Sequence, residues 1–244
     1  VIRYPLHRPE HYDRLRRGEA MIFAAMAENQ LLCRRGQHIF RISERHDLVY
    51  RVRTGWLCRT RILEDGRRQC IILFLPGELC AVQCSLFSQQ PDTVECLTEA
   101  TLECIEQERL QALADEHPDV ALRLMLQLAE EQRRLHNWVV ALGRGTAEER
   151  LAAFFLELRA RSLHLNLGSG RSFSVHLTQP QLADHVGLTP VHVNRTLREF
   201  RERGIMLLKG RVAIINDAAA LRRIAAPMLD VYDLTAAEFA ADEA

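Results

Sequence analysis

The sequence predicts an α+β protein in three parts: a β-sandwich or jelly roll over residues ~20–108, one long helix, and a helical module closed by a hairpin. Three observations carry this. Short apolar runs separated by turn signals fill the first half of the chain. Near Asp119 the apolar period lengthens to three and four. Late in the chain, two amphipathic segments meet at a break marked by Gly187 and Pro190.

The 244 residues suffice for one or two domains with real cores. Thirty-two basic and 32 acidic side chains cancel, so any nucleic-acid surface must come from the distribution of charge, not its sum. No apolar run approaches the roughly 20 residues of a membrane span. The opening stretch, VIRYPLHRPEHYDRL, has no apolar core or small-residue cleavage site, so no secretory signal is expected. Seven cysteines, an odd number, then point to free thiols in a reducing, cytoplasmic setting. There is no glycine-rich phosphate loop, His-Glu-x-x-His, nucleophile elbow or Cys-x-x-Cys, and no enzyme is expected.

Expected strands include Leu48–Arg53, Leu57–Leu63, Gln69–Leu75, Val94–Leu97 and Thr101–Ile105. Asp65-Gly66 between two of them is a hairpin signal. From Asp119 to about Leu142, Ala121, Leu124, Leu128, Leu135, Trp138 and Leu142 recur at helical spacing, interrupted only by Glu131. So narrow a stripe fits a two-helix seam, with Leu124, Leu128, Leu135, Trp138 and Leu142 as dimerisation residues. Gly143-Arg144-Gly145 ends this helix and offers a hinge. Thr146 and Glu149 form a capping box for the next helix, which buries Leu151, Ala152, Phe155, Leu156 and Leu158. Asn166–Ser172 reads as a loop. The expected divisions are residues 1–117, 118–143, 144–217 and 218–244.

Thr178 and Gln181 stand at capping-box spacing again, with Leu182 and Val186 on the buried side. Gly187 supplies the left-handed residue that ends this helix. Thr189 caps the next one, and Pro190 sits in its first turn, where a missing N–H does no harm. Val193, Leu197 and Phe200 form its buried stripe, and Gly204 closes it. A small residue, a glycine four later and an apolar residue six after that (Ala183, Gly187, Val193) give a helix-turn-helix. The hairpin around Lys209-Gly210-Arg211 makes it winged, and Asp217 caps a final helix.

The exposed face of the second helix carries chemistry suited to double-stranded DNA. Arg195 can fork onto guanine O6 and N7, and Val191 can touch a thymine methyl. His192 and Asn194 can reach phosphates or base edges, with Arg198 on the same side. Thr178, Gln179, Thr189 and Pro190 stand at helix starts, where phosphate oxygens are held. Lys209 and Arg211 at the wing tip can reach the backbone. Residues 146–217 carry ten Lys/Arg and seven Asp/Glu, a net +3 in a neutral chain.

The segments PGELCAV, AEERLAAFFLEL and LTQPQLADHVGLTPVHVNRTLREFRERGIM resemble the CRP/FNR family of transcription regulators over residues ~20–225. Turn glycines 36, 55, 66 and 77 agree. The resemblance implies a cyclic-nucleotide-binding-like β-roll, a homodimer on a palindromic operator, and contact with RNA polymerase. It places effector-pocket candidates at Gly77, Glu78, Leu79, Cys80 and Cys84. Two departures stand out. The position where many members carry a base-reading Glu is Val191. No Arg or Lys occurs between Gly77 and Glu108, where cyclic-AMP binders hold the phosphate, so cyclic AMP is not expected.

All seven cysteines lie between residues 33 and 104. Cys58, Cys70, Cys96 and Cys104 fit as core residues of strands. The iron–sulfur members use an N-terminal cysteine cluster that this sequence lacks, so a four-iron cluster of that type is not expected. Cys80, Cys84 and Cys104 are the candidates for a metal or thiol switch, and haem through a His or Cys is the other option. His7, His11, His38 and His46 read as solvated surface groups. The alternative function is a redox, metal or haem sensor that acts through protein contacts.

Overall fold

The computed structural model describes residues 10–83, 87, 89–165, 167–168 and 171–229. Cys84, His7 and the C-terminal tail beyond residue 229 lie outside them. The chain folds as two compact units that part within the long helix, between residues 133 and 134.

The N-terminal unit opens with a helix absent from the sequence reading, α1 (His11–Met26), so residues 20–26 are helical and not part of a strand series. Its buried stripe is Leu15, Gly18, Ile22 and Met26. The glycine in that stripe hides its apolar character in sequence. It is there because a Cβ on Gly18 would collide with the Asp119 carbonyl. Arg14 and Arg17 then reach the Asp119 carboxylate at 2.6 and 2.9 Å.

Eight strands follow: β1 (Gln30–Cys33), β2 (His38–Phe40), β3 (Leu48–Thr54), β4 (Leu57–Ile62), β5 (Arg68–Phe74), β6 (Leu79–Cys80), β7 (Thr93–Cys96) and β8 (Ala100–Glu106). They form two antiparallel four-stranded sheets, ordered β1-β8-β3-β6 and β2-β7-β4-β5. This is the expected double-sheet roll. Helix α2 (Gln107–Glu116) and the long helix α3 (Pro118–Arg144) complete the series. The core joins Ile22, Met26, Val49, Leu79, Ile105 and Val120. No helix among the described residues is long and apolar enough to cross a membrane.

The first half of α3 faces its own unit with polar groups. Arg123, Gln127 and Glu131 are all buried, one turn apart. Arg59 on β4 donates to Glu131 at 3.3 Å, Gln127 donates to the other Glu131 oxygen at 3.2 Å, and Arg123 pairs with Glu19 at 2.9 Å. Glu131 therefore does not interrupt an apolar seam; it is the buried partner of Arg59. Leu124 and Leu128, expected at a dimer seam, pack partly against the core of their own chain. What α3 leaves exposed is a different stripe: Ala121, Met125, Ala129, Gln132, His136 and Val139. Its spacing of four, four, three, four and three is that of a two-helix seam.

The thiols depart from expectation. Cys58 and Cys70 form a disulfide, with Cα atoms 6.4 Å apart. Thr60 is the register partner of Cys70, and the register shifts between Arg59 and Thr60, where Ile71 of β5 is the extra residue. Cys33, Cys96 and Cys104 form no disulfide. Burial pushes the Cys96 thiol up to about 12, helped by its hydrogen-bonded neighbour Cys33. Burial raises Cys33 and Cys104 as well. Thiols held protonated in this way are poor nucleophiles.

Candidate nucleic-acid interface

The C-terminal unit is built from the end of α3, α4 (Ala147–His164), β9 (Ser172–Ser174), α5 (Gln179–Val186), α6 (Pro190–Glu202), β10 (Met206–Lys209), β11 (Val212–Ile215) and α7 (Ala218–Ala225). Each helix start that the sequence marks is capped as its residue types require. Thr146 and Glu149 make a reciprocal capping box, as do Thr178 and Gln181. Thr189 accepts from the His192 N–H, and Asp217 from the Ala220 N–H. Gly187 ends α5 at φ +65°, in the left-handed region. A Cβ there would also come within 2.6 Å of Leu142 Cδ2.

Packing sets the angle at which α6 is presented. Leu151, Ala152, Phe154, Phe155 and Leu158 of α4 are buried, while Leu156 is half-buried. Along α6, Val193, Thr196 and Phe200 are buried, and Leu197 is only half-buried. Thr196 thus takes the inward place expected of Leu197. Buried His185 on α5 meets the Trp138 ring edge-on at 4.6 Å and the Phe154 ring at 5.2 Å. Trp138 and Leu142 are therefore engaged with their own unit, and Leu135 is half-buried.

Arg150, which the sequence reading passed over, joins two helix ends. Its guanidinium donates to the carbonyls of Gly145 and Leu142, both at 2.9 Å, and of Gly187 at 3.2 Å. These belong to the ends of α3 and α5, where carbonyls lack helical partners. The signal in the sequence was faint: an arginine one turn into a helix that follows a glycine-flanked break.

β10 and β11 pair through a two-residue turn, Lys209 opposite Val212, with Gly210 at φ +60°. β9 adds a third strand to the wing, so Ser172, expected in a loop, begins a strand instead.

Against this frame, Gln179, Thr189, Pro190, Val191, His192, Asn194, Arg195, Arg198, Lys209 and Arg211 are all exposed. Val191 is 76% exposed. Among the described residues Arg195 has no ion pair or hydrogen bond, whereas Arg198 approaches Glu202 at 3.8 Å. Arg195 lines a cleft of about 520 Å³ between the start of α4 and the end of α7, with Thr146, Glu199 and Arg223. Thr178 differs from the rest. It is half-buried, and its hydroxyl both accepts from the Gln181 N–H and donates to the Gln181 side chain. That hydroxyl is engaged by its own helix and is not presented to a phosphate.

The N-terminal candidates are less open. Gly77 takes φ +91° in a turn, and Glu78 accepts from the Leu75 N–H at 3.1 Å within that turn. Leu79 and Cys80 are fully buried. Cys80 and Cys104 both lie opposite Tyr50, on strands either side of β3, so they stand two strand spacings apart, about 9.5 Å. No group of three metal-ligating side chains converges among the described residues. His38 and His46 are half-buried, not solvated as expected: His38 lies 4.0 Å from Glu95, and His46 sits between the rings of Phe40 and Tyr50.

Comparison with known proteins places both units. Residues 149–224 match the Crp-like helix-turn-helix domain family, and residues 31–117 the cyclic nucleotide-binding domain family. The nitrogen fixation regulation protein FixK of Rhizobium meliloti is 32% identical over 190 residues, covering 78% of this chain and 83% of FixK. FixK of Azorhizobium caulinodans is 30% identical, covering 84% and 82%. The transcriptional activator protein FnrL of Cereibacter sphaeroides is 29% identical, covering 76% of each. The solved structure of FixK2 from Bradyrhizobium japonicum superposes with a TM-score of 0.75 at 26% identity, covering 80% of this chain and 96% of FixK2.

Proposed function

This chain belongs to the CRP/FNR family of transcription regulators, and from that premise we propose that it is a cytoplasmic, sequence-specific DNA-binding regulator, acting as a homodimer on a palindromic operator. The observation that carries this reading is Arg195: an exposed guanidinium, unpaired among the described residues, in the first half of the second helix of a winged helix-turn-helix. That half is the part that enters a major groove in this motif. Val191 beside it favours a thymine methyl, while Lys209 and Arg211 hold phosphates from the wing.

The homodimer forms along the exposed stripe of α3, where Met125 is 62% and Val139 69% exposed. A second copy of the helix would bury these apolar groups and set two α6 helices about 34 Å apart, one turn of DNA. RNA polymerase is the further partner in this reading. Cyclic AMP is not proposed as the effector, because no Arg or Lys occurs between Gly77 and Glu108 to meet a phosphate.

The test is Arg195→Ala in a footprinting and gel-shift series on selected operators. Specific affinity should fall by the ~1–3 kcal/mol of one guanine fork, with non-specific affinity and melting temperature unchanged. A protected site with a single, non-palindromic half would contradict the dimer, and unchanged affinity would contradict the role of Arg195.

A further inference from the structure

The amide of Asn194 on α6 donates through Nδ2 to the Gln179 Oε1 of α5 at 3.0 Å. Both residues are exposed. Gln179 is the first residue of α5, and Asn194 lies in the second turn of α6, so this bond ties the free faces of the two crossed helices together. It also fixes which way the Asn194 amide is turned. Of the four hydrogen-bonding positions of an asparagine amide, one N–H is engaged. One N–H and the oxygen remain, a donor and an acceptor in one amide plane, and Arg195 is the next residue of α6.

That remaining pair is the complement of the adenine edge in a major groove. The oxygen accepts from N6–H, and the N–H donates to N7. Guanine offers two acceptors there, thymine one acceptor and a methyl, and cytosine a lone donor, so none of them satisfies both atoms. We infer that Asn194 reads an adenine next to the guanine read by Arg195, and that Gln179 is a positioning residue that holds the Asn194 amide in the reading orientation. This rests on the DNA-binding reading and adds one base, with its reader and its brace.

A brace has a physical use here. An unrestrained asparagine can flip its amide and present either polarity, which blurs discrimination between bases. Held by Gln179, the amide is preorganised, and less side-chain freedom is lost on binding. Gln179 would otherwise be read as a phosphate contact at a helix start. The two roles differ in what they predict: a lost phosphate contact weakens all sequences alike, whereas a lost brace weakens one base preference.

The experiment is selection from a library of randomised double-stranded operators with four full-length proteins: wild type, Asn194→Ala, Gln179→Ala and the double variant. Melting temperatures serve as the folding control, since both side chains are exposed. Wild type should enrich adenine at one position in each half-site, beside the guanine lost in Arg195→Ala. Asn194→Ala should reduce that adenine preference about tenfold or more and leave the guanine preference intact. Gln179→Ala should reduce the same preference a few-fold, with no further effect when Asn194 is already alanine. Two results would overturn the inference and leave DNA binding standing. One is a wild-type site whose preferences all survive Asn194→Ala. The other is a Gln179→Ala protein that binds every sequence more weakly in equal proportion. A wild type that enriches no sequence would overturn the DNA-binding reading itself.

Discussion

Arginines lie at the inner face of α3, from β4 and from the helix itself, and on the outer face of α6, and the two places use them in opposite ways. Arg59 and Arg123 are buried, each against a carboxylate of its own unit. Arg195 is exposed and, among the described residues, unpaired. A buried guanidinium with a partner gives a helix a fixed place on a sheet but has nothing to offer a ligand. An exposed one without a partner contributes little to stability and is available to another molecule. Pairing, more than residue type or local charge count, separates a structural cation from a binding one.

The largest effect should come from breaking the inner pair. Replacing Glu131 with Leu strands the Arg59 charge in the interior, which typically destabilises by about 3–5 kcal/mol. Urea unfolding of the N-terminal unit should register it. Replacing Arg59 and Glu131 together, by Met and Leu, should recover most of the loss, because no uncompensated charge remains. If the single and double variants were equally unstable, the pair would matter for shape alone and the contrast with α6 would weaken.

Arg150 should come next. Arg150→Ala removes a charged donor from four helix-end carbonyls, and hydrogen bonds of that kind contribute about 1.5–3 kcal/mol each at most. Only the Gly187 bond is exposed and the others are part-buried, so the carbonyls regain water in part and about 2 kcal/mol is expected for the set. Hydrogen exchange at the ends of α3 and α5 should accelerate before the rest of the unit. A smaller effect, about 1 kcal/mol, is expected of Thr189→Ala, which uncaps α6. Because the cap sits at the end that enters DNA, this variant should also lower operator affinity slightly, which no change at Glu131 should do directly.

How much of this was legible in the sequence divides along the same line. Caps, left-handed glycines and the wing turn are local: Thr146, Thr178, Thr189, Gly187 and Gly210 announce themselves by type and spacing, and the structure uses them as read. The buried ladder is not local. Glu131 and Arg59 lie 72 residues apart, and in sequence Glu131 looks only like a flaw in an apolar stripe. Helix α1 was hidden because its central contact is a glycine, which adds nothing to an apolar count. The Cys58–Cys70 bond joins neighbouring strands beside a register shift at Ile71 of β5, which no spacing rule anticipates. Among the interface residues, Thr178 was read correctly as a cap and wrongly as a phosphate donor, since one hydroxyl serves only so many partners.

The smallest expected effect distinguishes the two units by pH. His46 in the roll and His176 beside the wing both have pKa values below the usual histidine range, chiefly through burial. For His46 the neighbouring Asp47 and Glu44 work against burial, whereas for His176 the Arg211 guanidinium works with it. The folded protein therefore favours both rings neutral. An unfolded histidine takes up its proton near pH 6.5. Above that pH neither state binds a proton and stability does not depend on these groups. As pH falls through 6.5, the unfolded chain gains protons that the fold resists, so stability declines until the folded-state values are passed, and then levels off. Arg211→Gln removes the charge that acts on His176 while leaving His46 untouched. The acid-dependent loss in the C-terminal unit should become shallower, and that in the N-terminal unit should not change. Hydrogen exchange between pH 7 and 5, resolved by unit, would measure this. An equal change in both units would mean that the wing arginine acts on the whole chain and not on its neighbour.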